Sequence, residues 1–64
     1  MNRIARILIK RDGLTPDQAD QEVQEARKQL NERIETGYDL NDLYDYFCEE
    51  YFGLEPDYIE DLML

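Results

Sequence analysis

No lysine or arginine follows Arg33, and the chain has no histidine anywhere. The first absence leaves residues 34–64 with ten carboxylates and no base: Glu35, Asp39, Asp42, Asp45, Glu49, Glu50, Glu55, Asp57, Glu60 and Asp61. The second removes every nucleophilic triad that needs an imidazole base. A single cysteine, Cys48, excludes an intrachain disulfide. Glycine occurs three times and proline twice, always between apolar-periodic segments rather than inside them. No stretch alternates apolar and polar residues with period two, so nothing reads as a strand. The opening run Ile4-Ala5-Arg6-Ile7-Leu8-Ile9 is too short and too interrupted for a signal peptide or a membrane span. A cytoplasmic location, in the producing or host cell, is therefore expected.

All seven bases lie in residues 1–33, where they face six acids, so a net charge of −9 divides as +1 and −10 between the halves. The seven aromatic residues also fall in the acidic half, between Tyr38 and Tyr58. Such a separation makes a field that a basic partner can read, and it repels nucleic acid and anionic membranes. High net charge also favours disorder. Against disorder stand a hydrophobic content of 42% and clear helical periodicity.

Sixty-four residues suffice for one domain, and a chain this short buries only roughly 60% of its unfolded surface. Net stability is expected at the low end of about 5–15 kcal/mol. Repulsion among the acids lowers it, so salt should stabilise the fold. Dimerisation would offer further burial.

Each glycine opens the same phrase: Gly13-Leu14-Thr15, Gly37-Tyr38-Asp39 and Gly53-Leu54-Glu55. The phrase reads as a helix-ending glycine, an apolar residue that packs back on the helix just ended, and the cap of the next helix. Pro16 and Pro56 then suit first helical positions. The spacing predicts helices over about 2–12, 16–35, 40–52 and 56–63. In the first, Ile4, Ile7 and Leu8 form the apolar side, and Arg3, Arg6 and Lys10 a basic stripe. The second opens with a Thr15/Gln18 capping box and carries a narrow stripe of Ala19, Val23, Ala26, Leu30 and Ile34, small enough early on for close helix approach. The third has the clearest amphipathic pattern, with Leu40, Leu43, Tyr44, Phe47, Cys48 and Tyr51 on the apolar stripe. Asp42, Asp45, Tyr46, Glu49 and Glu50 occupy its other face. In the fourth, Tyr58, Ile59, Leu62 and Met63 are expected to bury, leaving Asp57, Glu60 and Asp61 wet. At least three of the five tyrosines are expected in the core. The fold class is all-α, a compact bundle of three to four short helices joined by two- or three-residue loops.

No enzyme chemistry is expected. Cys48 on an apolar stripe of an acidic helix reads as a small core residue rather than a nucleophile. Carboxylate pairs such as Asp42 with Asp45, or Glu60 with Asp61, would need a pocket to do acid–base work. Asp39-Leu40-Asn41-Asp42 with Asp45 has the look of a calcium loop, but it lacks the glycine at the sixth position and places Glu50, the twelfth, inside a helix. No metal or other cofactor is expected. The basic stripe Arg3, Arg6 and Lys10 is expected to lie against the acidic half and lower its repulsion.

The acidic face is the main candidate for function. Asp42 and Asp45 are one turn apart, and Asp42 and Glu49 two turns, about 10 Å. Carboxylates repeated on a rigid helix can stand in for a row of phosphates and engage a protein that binds nucleic acid through Lys and Arg. Tyr46 and Tyr58, interleaved with the acids, are residue types enriched at interfaces. Candidate partner-binding residues are thus Asp42, Asp45, Tyr46, Glu49, Glu50, Asp57, Glu60 and Asp61.

The tail Phe52-Gly53-Leu54-Glu55-Pro56-Asp57-Tyr58-Ile59-Glu60-Asp61-Leu62 and the segment Arg11-Asp12-Gly13-Leu14-Thr15 resemble small acidic proteins of phages and mobile elements. In size, acidity and helical pattern the chain is similar to phage-encoded inhibitors of bacterial defence, including anti-CRISPR proteins. That resemblance implies a DNA mimic acting on a host protein. The other reading is a helical dimerisation or assembly module whose acids serve solubility.

Overall fold

The computed structural model describes residues 2–63. Four α-helices follow in order: α1 (Arg3–Asp12), α2 (Pro16–Glu35), α3 (Leu40–Phe52) and α4 (Ile59–Met63), the last entered through a 3-10 turn at Pro56–Tyr58. The fold is the expected all-α bundle. Its long dimension, 34 Å against 19 and 18 Å across, is set by α2, whose twenty residues at 1.5 Å each give about 30 Å.

Local sequence makes the ends. Asn2 Oδ1 accepts from the Ile4 N–H at 2.7 Å and starts α1. Thr15 and Gln18 form the full capping box, with bonds of 3.0 and 3.2 Å, and Pro16 takes the first position of α2. Asp39 Oδ1 accepts from the Asn41 N–H at 2.8 Å and starts α3. The third phrase is weaker. Glu55 has extended backbone but no side-chain cap bond, and a 3-10 turn follows instead of an α-helix. Of the glycines, Gly37 has the most positive φ, 92°. It closes α2 in a Schellman arrangement, with Gly37 N–H donating to Ile34 O and Tyr38 N–H to Arg33 O, both at 3.2 Å.

Ala5, Ala19 and Ala26 are wholly buried, and α1 packs against α2 more extensively than any other pair of helices meets. The absence of side-chain bulk beyond Cβ allows the two helices to approach closely. Leu43, Phe47, Cys48 and Phe52 of α3 and Ile59 and Leu62 of α4 complete the core, with Phe47 the largest fully buried side chain. Cys48 is fully buried, and loss of hydration, with the Asp61 carboxylate nearby, pushes its thiol up to about 11.

Three expectations about burial are corrected. Leu40, Tyr44 and Tyr51 lie along the apolar stripe of α3 but remain substantially exposed. The helix is about 20 Å long, and the returning 3-10 turn and α4 run beside only part of it. They reach Tyr44 and leave Leu40 uncovered. Met63 is exposed rather than buried, beside Tyr44. None of the five tyrosines is buried; Tyr58 is half-buried, and Tyr51 stacks on Phe47 at 5.4 Å from the rim of the core. A buried phenol must find a hydrogen-bond partner, and rim positions leave the hydroxyls within reach of water.

No helix among the described residues is long and apolar enough to cross a membrane.

Candidate functional site: an acidic and aromatic face

The separation of charge in the sequence is resolved in the structure by an exchange of helix-end charges. Neither α3 nor α4 has a basic residue in its last turn, so each ends on bare carbonyls at the negative end of its dipole. The first half supplies the missing donors. Arg11 Nη1 donates to Phe52 O at 2.6 Å, closing α3. Arg27 donates through Nε to Leu62 O at 2.9 Å and through Nη2 to Asp61 O at 3.1 Å, closing α4. Conversely, α1 has no acid in its first turn, and Asp61 provides one. Its carboxylate accepts from the Arg3 N–H at 3.0 Å and from the Arg3 guanidinium at 2.8 Å. Asn2 Nδ2 adds a bond to Asp61 O at 2.8 Å, tying the start of α1 to α4.

Asp61 is thus not part of a wet face. Its side chain is only 12% exposed, and bonding to Arg3 holds its carboxyl below the usual carboxylate range. The expected basic stripe is also redistributed. Arg3 does meet the acidic half, but Arg6 and Lys10 make no ion pair among the described residues, and Arg11 and Arg27 bind main-chain carbonyls instead. Half-buried Arg27 holds two carbonyls at once. Arg27→Met keeps the stem and removes the fork, so α4 should fray and stability should fall by about 1–2 kcal/mol. Amide exchange at Ile59–Met63, faster in the variant than in the parent while α2 stays protected, reads that effect.

Asp61 also makes stability depend on pH. Its folded-state value lies below its unfolded one, so the stability it contributes is present above the ordinary carboxylate range and lost as pH falls through the folded value. Asp61→Asn should therefore lower the denaturation midpoint at neutral pH. The gap between the two proteins should close in strong acid. A gap that stays constant with pH would mean the carboxylate charge is not what matters.

With these bases engaged, every other carboxylate of the second half is exposed. Asp42, Asp45, Tyr46, Glu49 and Glu50 fall within about 140° of the circumference of α3. They form one continuous surface opposite Cys48 and the α4 side. Of these, only Glu50 has an ion-pair partner among the described residues, Arg33 at 3.7 Å, which is a loose ion pair rather than a hydrogen bond. Asp57 is exposed on the 3-10 turn. Exposed Glu60 belongs to a different place, a cleft of about 460 Å³ that it lines with Tyr44, Ile59 and Met63. Tyr44 and Tyr46 are about 160° apart round α3, so Glu60 does not converge with the α3 acids.

A cleft of about 290 Å³ marks where α3 meets the end of α2. Arg33, Tyr38, Asp42, Leu43, Tyr46, Phe47 and Glu50 line it. Three candidate residues, Asp42, Tyr46 and Glu50, thus share one concavity. Arg33 and Tyr38 had no place among the candidates. Tyr38 was partly legible, since the residue after a Schellman glycine packs back on the helix just ended. Its ring indeed sits 6.0 Å from the Arg33 guanidinium, which also lies 5.1 Å from the Phe47 centroid. Nothing in the spacing indicated that Arg33 would lean over the aromatic rings rather than pair with a carboxylate on its own helix.

No protein-family model matches this chain, and neither a curated protein nor a solved structure shows significant similarity to it.

Proposed function

We propose that this protein is a non-enzymatic inhibitor that binds a basic, nucleic-acid-binding protein through the outer face of α3. Its carboxylates there take the place of nucleic-acid phosphates. The observation that carries the reading is the disposition of the bases. Four arginines are engaged at helix ends, on Asp61 or over aromatic rings, while Asp42, Asp45 and Glu49 are left exposed and without an ion-pair partner among the described residues. Neutralising bases would have been as easy to place on α3 as on α2. Acids kept bare on a rigid helix support fast, salt-sensitive association with a cationic surface. A phage protein directed against bacterial defence, in the manner of the DNA-mimicking anti-CRISPR inhibitors, fits this description. Its site of action would then be the host cytoplasm.

The test is capture of host proteins on the immobilised chain at low and high salt, followed by displacement with duplex DNA. The expected result is a basic nucleic-acid-binding protein that is retained at low salt, released at high salt and displaced by DNA. Retention of partners that DNA does not displace would sink the mimic reading.

One observation favours a second reading, a homodimer. Leu40, Tyr44 and Met63 leave apolar surface exposed beside the 460 Å³ cleft. Self-association there would cover it, with the acids serving solubility. Sedimentation that finds a monomer at high concentration and high salt would exclude this.

A further inference from the structure

A phosphate mimic needs only carboxylates, yet the cleft at the junction of α2 and α3 sets two tyrosines beside them. Tyr38 and Tyr46 are 61% and 56% exposed, the two most exposed large hydrophobic side chains among the described residues. They stand in one concavity with Asp42 and Glu50. A flat aromatic face next to a carboxylate suits a guanidinium better than an ammonium. The ring takes the plane of the cation, and the carboxylate takes its forked N–H groups.

The chain's own Arg33 already samples this environment, with its guanidinium over Phe47 and toward Tyr38. It engages the polar part of the site only loosely. Glu50 is 3.7 Å away, beyond hydrogen-bond range, and Asp42 forms no ion pair among the described residues. We infer that this cleft receives an arginine side chain of the basic partner, its guanidinium stacked on Tyr46 beside Tyr38 and bonded to Asp42 and Glu50. Arg33 competes with it from within the molecule. The inference rests on the reading of α3 as a protein-binding face and adds to it a preference for arginine over lysine.

The test uses the full chain and two short peptides of equal charge, one rich in arginine and one in lysine, titrated at moderate salt. The arginine peptide should bind about two- to fivefold more tightly, the range expected for cation–π contact at an exposed site. It should also shift the ring resonances of Tyr38 and Tyr46. Tyr46→Ala and Asp42→Asn, both on the exposed surface, should each remove the preference, whereas Asp20→Asn, exposed on α2, should keep it. Arg33→Met retains an aliphatic cover over Phe47 and removes the internal competitor, so it should strengthen the preference. Lys28→Met removes the same charge elsewhere on α2 and should leave the preference unchanged.

Equal affinity for the two peptides overturns the inference and leaves the broader reading, which depends on charge alone, intact. A preference that survives both Tyr46→Ala and Asp42→Asn overturns it as well, because the arginine then binds elsewhere. Arginine preference in a chain whose captured partners DNA does not displace would overturn phosphate mimicry but not this cleft.

Discussion

Phe47→Ala is expected to leave the chain largely unfolded. Phe47 is the largest fully buried side chain, stacked on Tyr51 on one side and covered by the Arg33 guanidinium at 5.1 Å. Truncation of a buried phenylalanine costs about 3–5 kcal/mol, part lost transfer energy and part the cavity left behind. A domain of this size has about 5 kcal/mol to lose. No disulfide holds it, since Cys48 has no partner. The core is a single cluster of thirteen buried residues, so it has little apolar volume to move into the vacated space. The measurement is far-ultraviolet circular dichroism with a thermal scan. The parent should show a cooperative loss of helix, and the variant little helix and no cooperative transition. High salt, which screens the net charge of −9, should recover part of the signal. A variant that melts cooperatively within a few degrees of the parent would show that the core has other means of closing.

Charge reversal on α3 should have the largest effect on binding. Changing Asp42, Asp45 and Glu49 to lysine adds two charges at each position, so the net charge moves from −9 to −3. More consequential is the local sign. On the proposed reading, three attractive contacts with a cationic surface would become three repulsive ones, and like charges set against each other across an interface cost several kcal/mol. At about 1.4 kcal/mol per tenfold, affinity should fall at least about 100-fold. The fall should be steepest at low salt. The fold should survive, since all three side chains point to water and the bundle loses self-repulsion. Only Asp42 lies in the first turn of α3, where its loss from the positive end of the dipole costs about 0.3–1 kcal/mol. Unchanged partner binding by a variant with an intact helical spectrum would dismiss phosphate mimicry.

The same three acids show how much of the candidate site was readable beforehand. Their shared exposure follows from helical period alone. An apolar stripe that includes Leu43, Phe47 and Cys48 must face inward, and residues half a turn away must then face water. Asp61 was misplaced by the same logic. Its neighbours Ile59 and Leu62 do bury, and Asp61 lies at the edge of their face, where period cannot distinguish wet from paired. What decided it was the bare N-terminus of α1, which lacked an acid of its own. The tyrosines were misplaced for a different reason. Their spacing was right, but the short α4 covers only part of α3, and coverage depends on how far a neighbouring helix runs.

The sequence by itself determined the all-α class, the first three helices and the cap of the second, because these depend on interactions within a few residues, such as the Thr15/Gln18 box and a glycine with positive φ. It also determined that acids outnumber bases in the second half. Only the tertiary structure decided which acids stay free. Arg11, Arg27 and Arg3 reach Phe52, Leu62 and Asp61 across separations of 41, 35 and 58 residues. Such contacts are selected by packing, since a helix end takes its missing charge from whichever helix happens to lie beside it. Those pairings leave the outer face of α3 bare and gather Tyr38, Asp42, Tyr46 and Glu50 round Arg33.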